Sequence, residues 1–232
     1  MIARVLFVAL TCFALRAADE ALLSVRASQD VALDTQPDSQ FWREARPLTM
    51  DRENNGKRLR GDVVVVRSRW TTGNLYFLFQ CPYDELYLKA NPATATETNE
   101  LWNWDVAEVF IGSDFQNIRR YKEFEVSPQG EWVDLDIDLA KPHHEDGWTW
   151  NSGFLATARI DEHRKVWYAA MRIPISAIDS RPPAEATEFR INLYVSEGPP
   201  SNHKSIAWRP TMKPNFHVPE RFGMLRLAGS PN

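Results

Sequence analysis

The chain of 232 residues carries 27 Lys and Arg against 31 Asp and Glu, a formal net charge of −4, with 44% hydrophobic and 25% charged residues. This is ordinary globular composition, long enough for one sizeable core, and an acidic balance without a basic stripe excludes nucleic acid as a partner. Nine Trp and twelve Phe, with little helical periodicity, point to strands.

The first segment has the pattern of a targeting signal. Met1 and Arg4 precede an apolar run from Val5 to Leu15, and the small residues Ala17 and Ala18 follow. Residues 1–18 are therefore expected to be a signal peptide, cleaved to leave a secreted or periplasmic protein. The run is too short to span a bilayer, so no membrane span is expected. Residues 19–232 contain no repeat or linker and are expected to form a single domain. Cleavage removes Cys12 and leaves Cys81 alone, which excludes an intramolecular disulfide and makes Cys81 a small core hydrophobe within Phe77–Cys81.

Alternating segments separated by turn signals follow. Asp62–Trp70, Leu75–Cys81, Val106–Gly112, Lys122–Ser127, Glu131–Leu139, Phe154–Ile160, Val166–Ile173, Phe189–Ser196 and Phe222–Leu227 are the expected strands. Helix is minor, near Phe41–Ala45 and Ile175–Asp179. The polar stretches Lys89–Glu100, Lys141–Asn151 and Gly198–Pro219 are expected loops, where binding residues sit on a rigid scaffold. The fold class is all-β, a two-sheet antiparallel β-sandwich of jelly-roll or immunoglobulin-like type.

Leu101–Phe110 is the most unusual stretch, because Trp102, Trp104, Asp105 and Glu108 interrupt a strand-like apolar run. Buried carboxylates must be paired, hydrogen-bonded or metal-bound, and accessible indoles suit a flat, partly apolar ligand such as a sugar ring. Glu108, flanked by Val106, Ala107, Val109 and Phe110, is either a ligand-facing acid or half of a structural ion pair.

The hairpin at Ser127–Gly130 reads as a two-residue loop of Pro128 and Gln129. That register sets Glu123 opposite Asp134, Glu125 opposite Trp132 and Tyr121 opposite Asp136. Opposed carboxylates repel and call for a cation. Arg119, Arg120 or a neighbouring arginine would serve, so would calcium, which prefers hard oxygen ligands, and a face simply solvated is the third reading. The candidate calcium ligands are Glu123, Asp134 and Asp136, with Asp105 as a further candidate.

Trp102–Phe110, the terminal run Asn215–Leu227, Ile206-Ala207-Trp208, and the early Leu33-Asp34 and Phe41-Trp42 occur in an order that resembles the family 9 carbohydrate-binding modules of xylanases and their bacterial relatives. The resemblance spans most of the chain after residue 18. It implies a β-sandwich, structural calcium and a sugar chain end clamped between two aromatic rings. By position, Trp102 resembles the first clamp aromatic, Phe216 stands where the second would be, and Glu108 resembles the acid that binds sugar hydroxyls. Asn103, Trp104 and His217 complete the candidate ligand-binding set. Two positions depart from the pattern: Glu125 stands where a sugar-contacting arginine is expected, and Lys213-Pro214 replaces an amide-rich approach to the second aromatic. The implied function is non-catalytic binding of poly- or oligosaccharide, in partnership with a glycoside hydrolase.

Two other functions remain open on the residues. A hydrolytic enzyme would need two carboxylates at a fixed separation, which a sequence does not supply, and Gly-x-Ser-x-Gly, P-loop, Gly-x-Gly-x-x-Gly and His-Glu-x-x-His patterns are all absent. A DOMON-like haem or redox domain would draw its ligands from Met50, Met171, Met212 and Met224.

Overall fold

The computed structural model describes residues 21–61 and 63–230. The expected signal peptide at residues 1–18, and Asp62 at the start of one expected strand, lie outside these residues. Twelve strands form one hydrogen-bonded sheet: β1 (Leu22–Arg26), β2 (Leu48–Met50), β3 (Val64–Trp70), β4 (Asn74–Pro82), β5 (Val106–Gly112), β6 (Arg120–Val126), β7 (Trp132–Asp138), β8 (Leu155–Asp161), β9 (Val166–Pro174), β10 (Glu188–Glu197), β11 (Lys204–Ala207) and β12 (Gly223–Ala228). Two helical turns, α1 (Gln40–Arg43) and α2 (Ile175–Ile178), are the only α-helical pieces among the described residues. No helix there is long and apolar enough to cross a membrane.

The strand order is β7-β6-β5-β10-β12-β1-β3-β4-β9-β8, with β11 beside β10 and β2 beside β3. Strand period two explains the layering. Leu75, Phe77, Phe79 and Cys81 of β4 alternate into the main core, where they meet Val109 and Ile111 of β5, Phe124 of β6, Trp167 and Met171 of β9, and Leu193 of β10. The two halves of the sheet thus pack face to face as a sandwich. The opposite face of β4 buries Tyr76 and Leu78 against Trp42. A second cluster, with Val106 and Phe110 of β5, Tyr121 of β6, Val133, Leu135 and Ile137 of β7, and Tyr194 of β10, lies on the outer face of the other half.

Three differences from the sequence expectation have physical causes. The sheet is not wholly antiparallel: β1 runs parallel to both β12 and β3, so it closes the two halves into one sheet. β1, β2 and β11 are strands of three to five residues, too short for alternation to stand out. The third difference is the hairpin. Gly130 adopts φ +86°, and the Glu131 carbonyl accepts from Ser127, so the loop has three residues, Pro128, Gln129 and Gly130. This turn with a left-handed glycine shifts the register by one. Glu123 faces Leu135, Glu125 faces Val133, Phe124 faces Asp134, and Lys122 faces Asp136. The expected opposition of Glu123 with Asp134 and Tyr121 with Asp136 is therefore corrected: Asp134 and Asp136 lie on the other face of the sheet from Glu123.

Arg69 holds the closing strand in place. Its side chain, 3% exposed, donates to the carbonyls of Val25, Arg26 and Phe41 and pairs with Glu44 at 2.8 Å. One guanidinium thus ties β1 and α1 to β3. Arg69→Met leaves three carbonyls without that donor and is expected to cost about 2–4 kcal/mol, seen as a lower urea midpoint at unchanged m value. A midpoint equal to wild type would contradict this role.

Candidate functional site

The outer face of β5, β6 and β10 forms the floor of a cleft of about 510 Å³. All seven residues of β5 are buried, because its inner face meets the main core and its outer face lies under neighbouring side chains and loops. Register places the outward residues in rows. Tyr194, Glu108 and Glu125 form one row across β10, β5 and β6, and Asn192, Phe110 and Glu123 form the next.

Three loops build the walls. A short 3-10 turn at Leu101–Asn103 buries Leu101 and leaves Trp102 half-exposed on the cleft. Asp105 secures this loop by accepting the N–H groups of Tyr87 (2.9 Å) and Gly198 (2.7 Å). Burial raises its pKa, and those two bonds offset part of the rise. The second wall is the segment before β12. Asn192 Nδ2 donates to the Arg209 carbonyl at 2.8 Å, and its Oδ1 accepts the Arg209 N–H at 3.0 Å. Further along, Thr211 Oγ1 donates to the Asn215 carbonyl at 2.9 Å. So pinned, Phe216 stacks on Tyr194 with ring centroids 4.1 Å apart and planes 7° apart, and Tyr194 donates its hydroxyl to the Phe216 carbonyl at 3.0 Å. Tyr194 backs one ring face of Phe216. The third contribution is the 3-10 turn His144–Thr149, whose His144 ring meets that of His217 at 4.4 Å.

His217 is fixed by a 2.6 Å hydrogen bond between its Nδ1 and the Tyr121 hydroxyl. Burial, then the neighbouring His144, lower its pKa to about 4, so the ring is neutral at ordinary pH. Ser196 Oγ donates to Glu108 Oε1 at 3.0 Å. Burial and the charge of Glu123 hold the Glu108 carboxyl well above the usual range. Burial pushes Glu123 up to about 7, and burial together with Glu108 and Glu123 pushes Glu125 well above the usual range.

The structure brings together Trp102, Glu108, Phe216 and His217, all lining the cleft. It sets Asn103 and Trp104 aside: Asn103 is exposed, with Nδ2 3.4 Å from Glu100 Oε2, and the Trp104 ring lies beneath Lys89 Nζ at 5.9 Å. The four expected calcium ligands do not converge. Asp105 is taken up by two backbone N–H groups, Asp134 accepts from the backbone and hydroxyl of Ser152, and Asp136 pairs with Lys122 at 2.5 Å. Glu123 instead joins Glu108 and Glu125, with one oxygen of each within 4.8 Å of the others. Sequence reasoning missed Ser196, Tyr194 and His144. Alternation along β10 could have found the first two, since Asn192, Tyr194 and Ser196 share the face of Glu108. Of the methionines considered as haem ligands, Met50 and Met171 are packed in the main core and Met212 is 58% exposed.

Comparison with known proteins gives a consistent picture. Residues 33–230 match the model of the family described as carbohydrate family 9 binding domain-like. A carbohydrate binding module family 9 from Caldicellulosiruptor kristjanssonii, solved with cellotriose, shares the fold at TM-score 0.64 and 14% identity, with 92% of this chain and 96% of that one covered. Its structure with glucose gives TM-score 0.62 and 14% identity, covering 90% and 97%. A protein of Arthroderma benhamiae named "Extracellular protein" is 21% identical over 151 residues, 60% of this chain and 67% of that protein.

The depressed pKa of His217 has a direct consequence for stability. Between pH 6.5, its ordinary value, and about 4, the unfolded chain binds a proton that the folded chain refuses. Stability is therefore lost as pH falls through that window. In His217→Gln the decline of the melting temperature from pH 6.5 to 4 is expected to be shallower than in wild type. Parallel curves would show that His217 does not contribute.

Proposed function

The chain belongs to the carbohydrate family 9 binding domain-like family, and on that basis we propose that it is a non-catalytic carbohydrate-binding module whose ligand occupies the cleft between Trp102 and Phe216. The observation that carries the reading is the composition of that cleft: aromatic rings on two walls, fixed polar groups at the floor. A pyranose presents an apolar face of C–H groups that packs on an aromatic ring, and a rim of hydroxyls that need directional partners. Trp102 offers the first ring and Phe216, stiffened by Tyr194, the second. Glu108, Ser196 and neutral His217 offer acceptors and donors along the floor.

The solved modules with cellotriose and glucose support β-linked glucose oligosaccharides and their chain ends as the first ligands to test. Export through the 1–18 signal is part of the same reading, supported by the relative named as extracellular. A binding module acts by concentrating an enzyme on its polymer, so the partner expected for this chain is a glycoside hydrolase.

Calorimetric titration with glucose, cellobiose and cellotriose is expected to give one-site binding. Trp102→Ala should weaken it about tenfold, the scale of one lost aromatic contact of roughly 1.5 kcal/mol, with folding unchanged. Absence of heat with any of a broad panel of mono- and oligosaccharides, or unaltered affinity in the variant, would overturn the assignment. Release of reducing sugar by the purified chain would replace binding with hydrolysis.

A further inference from the structure

We propose that Glu108, Glu123 and Glu125 form a binding site for a hard divalent cation at the floor of the cleft, with its remaining coordination positions open to the ligand. One carboxylate oxygen from each residue lies within 4.8 Å of the other two. Oxygens around one calcium ion, each about 2.3–2.6 Å from it, are spaced on this scale.

The burial of these groups points to a ligand independently of their clustering. Glu125 is 0% exposed and Glu123 3%, yet neither Glu125 oxygen nor Glu123 Oε2 receives a donor from outside the cluster; within it the two carboxyls lie in hydrogen-bond reach of each other. Ion pairs in this fold engage other acids: Glu44, Glu131, Asp136, Asp138, Asp161 and Asp179 hold nearby Lys and Arg side chains. Asp105 is provided for by two N–H groups, Asp134 by Ser152, and Glu131 by Ser127 and Lys89, while Glu97 and Glu197, which stand apart from any such cluster, each keep one buried oxygen without a partner. The outward face of β5 and β6 sets three carboxylates side by side, and the Ser196 hydroxyl donates to Glu108 from outside the cluster. Buried charges persist when they are paired or coordinate metal.

The chemistry of the donors selects the ion. All are oxygens, with the Ser196 hydroxyl already bonded to Glu108 and no sulfur or imidazole in the cluster. Carboxylate sets of this kind suit calcium, magnesium or manganese and not the softer metals. Phe110, Tyr121 and Tyr194 share the outward face with the three carboxylates and lower the local dielectric, which strengthens the attraction for a cation. Glu108 and Glu123 reach the cleft surface, so an ion held there presents vacant positions to vicinal hydroxyls. The cation site stands without a sugar; its part in sugar capture rests on the carbohydrate reading.

The alternative is that the cluster stays neutral by holding protons between Glu123 and Glu125. Titration of chelator-stripped, desalted protein with calcium chloride alone, then magnesium and manganese chloride, separates the two. One hard-cation site in wild type is expected, with affinity at least about tenfold weaker in Glu125→Gln at unchanged far-UV circular dichroism. Failure of wild type to bind any of the three ions, or equal stoichiometry and affinity in the folded variant, overturns the proposal. Should Glu125→Gln not fold, manganese-soaked crystals of wild type decide: an anomalous peak among the three carboxylates supports the site, and its absence there overturns it. Repeating the sugar titration on stripped and calcium-loaded protein isolates the second part. Tighter sugar binding with calcium supports it, and equal binding in both overturns it. No sugar binding in either state overturns the carbohydrate reading while the ion titration stands.

Discussion

β5 has no face to give to water, and the arrangement of the outer cleft depends on that. One side of this strand is fixed by Val109 and Ile111 in the main core. The other side must then be covered by something, and what covers it is the wall of a cleft. Covering a strand with loops creates a half-enclosed space whose floor is rigid, because each floor residue belongs to a hydrogen-bonded ladder paired on both edges. Glu108 stands in the middle of that floor, and its neighbours across the ladders, Tyr194 and Glu125, are set by register alone.

The walls inherit their rigidity from a few polar side chains spent on backbone groups. Asp105 ties the Trp102 loop to two distant segments, and Asn192 fastens the segment that carries Phe216. Ordering these rings before a ligand arrives removes an entropic cost from binding. The Tyr194 and Phe216 stack shows the principle at one contact: a ring already packed on one face has its other face to offer.

Most of the strands were legible in the sequence because alternation of period two is a strong signal over six to ten residues. The nine expected segments correspond to β3 through β10 and β12, and both helical turns fall where they were expected. Three short strands were not legible, since three to five residues carry too little pattern. The hairpin register failed for a local reason, the left-handed conformation of Gly130, which adds a residue to the loop and moves Asp134 and Asp136 to the far face. In the cleft, Trp102, Glu108, Phe216 and His217 were identifiable from residue type and resemblance, whereas the grouping of Glu108 with Glu123 and Glu125 depends on pairing between β5 and β6 that one sequence does not disclose.

The central claim is that this outer face is where carbohydrate binds. It is tested most directly by two-dimensional 1H–15N spectra recorded during addition of cellotriose. The account predicts that the Trp102 indole N–H and the amides of Ser196, Phe216 and His217 shift and saturate together, while the indole N–H of Trp167, buried in the main core, stays in place. Saturable shifts confined to another surface, with the Trp102 indole unmoved, would contradict it.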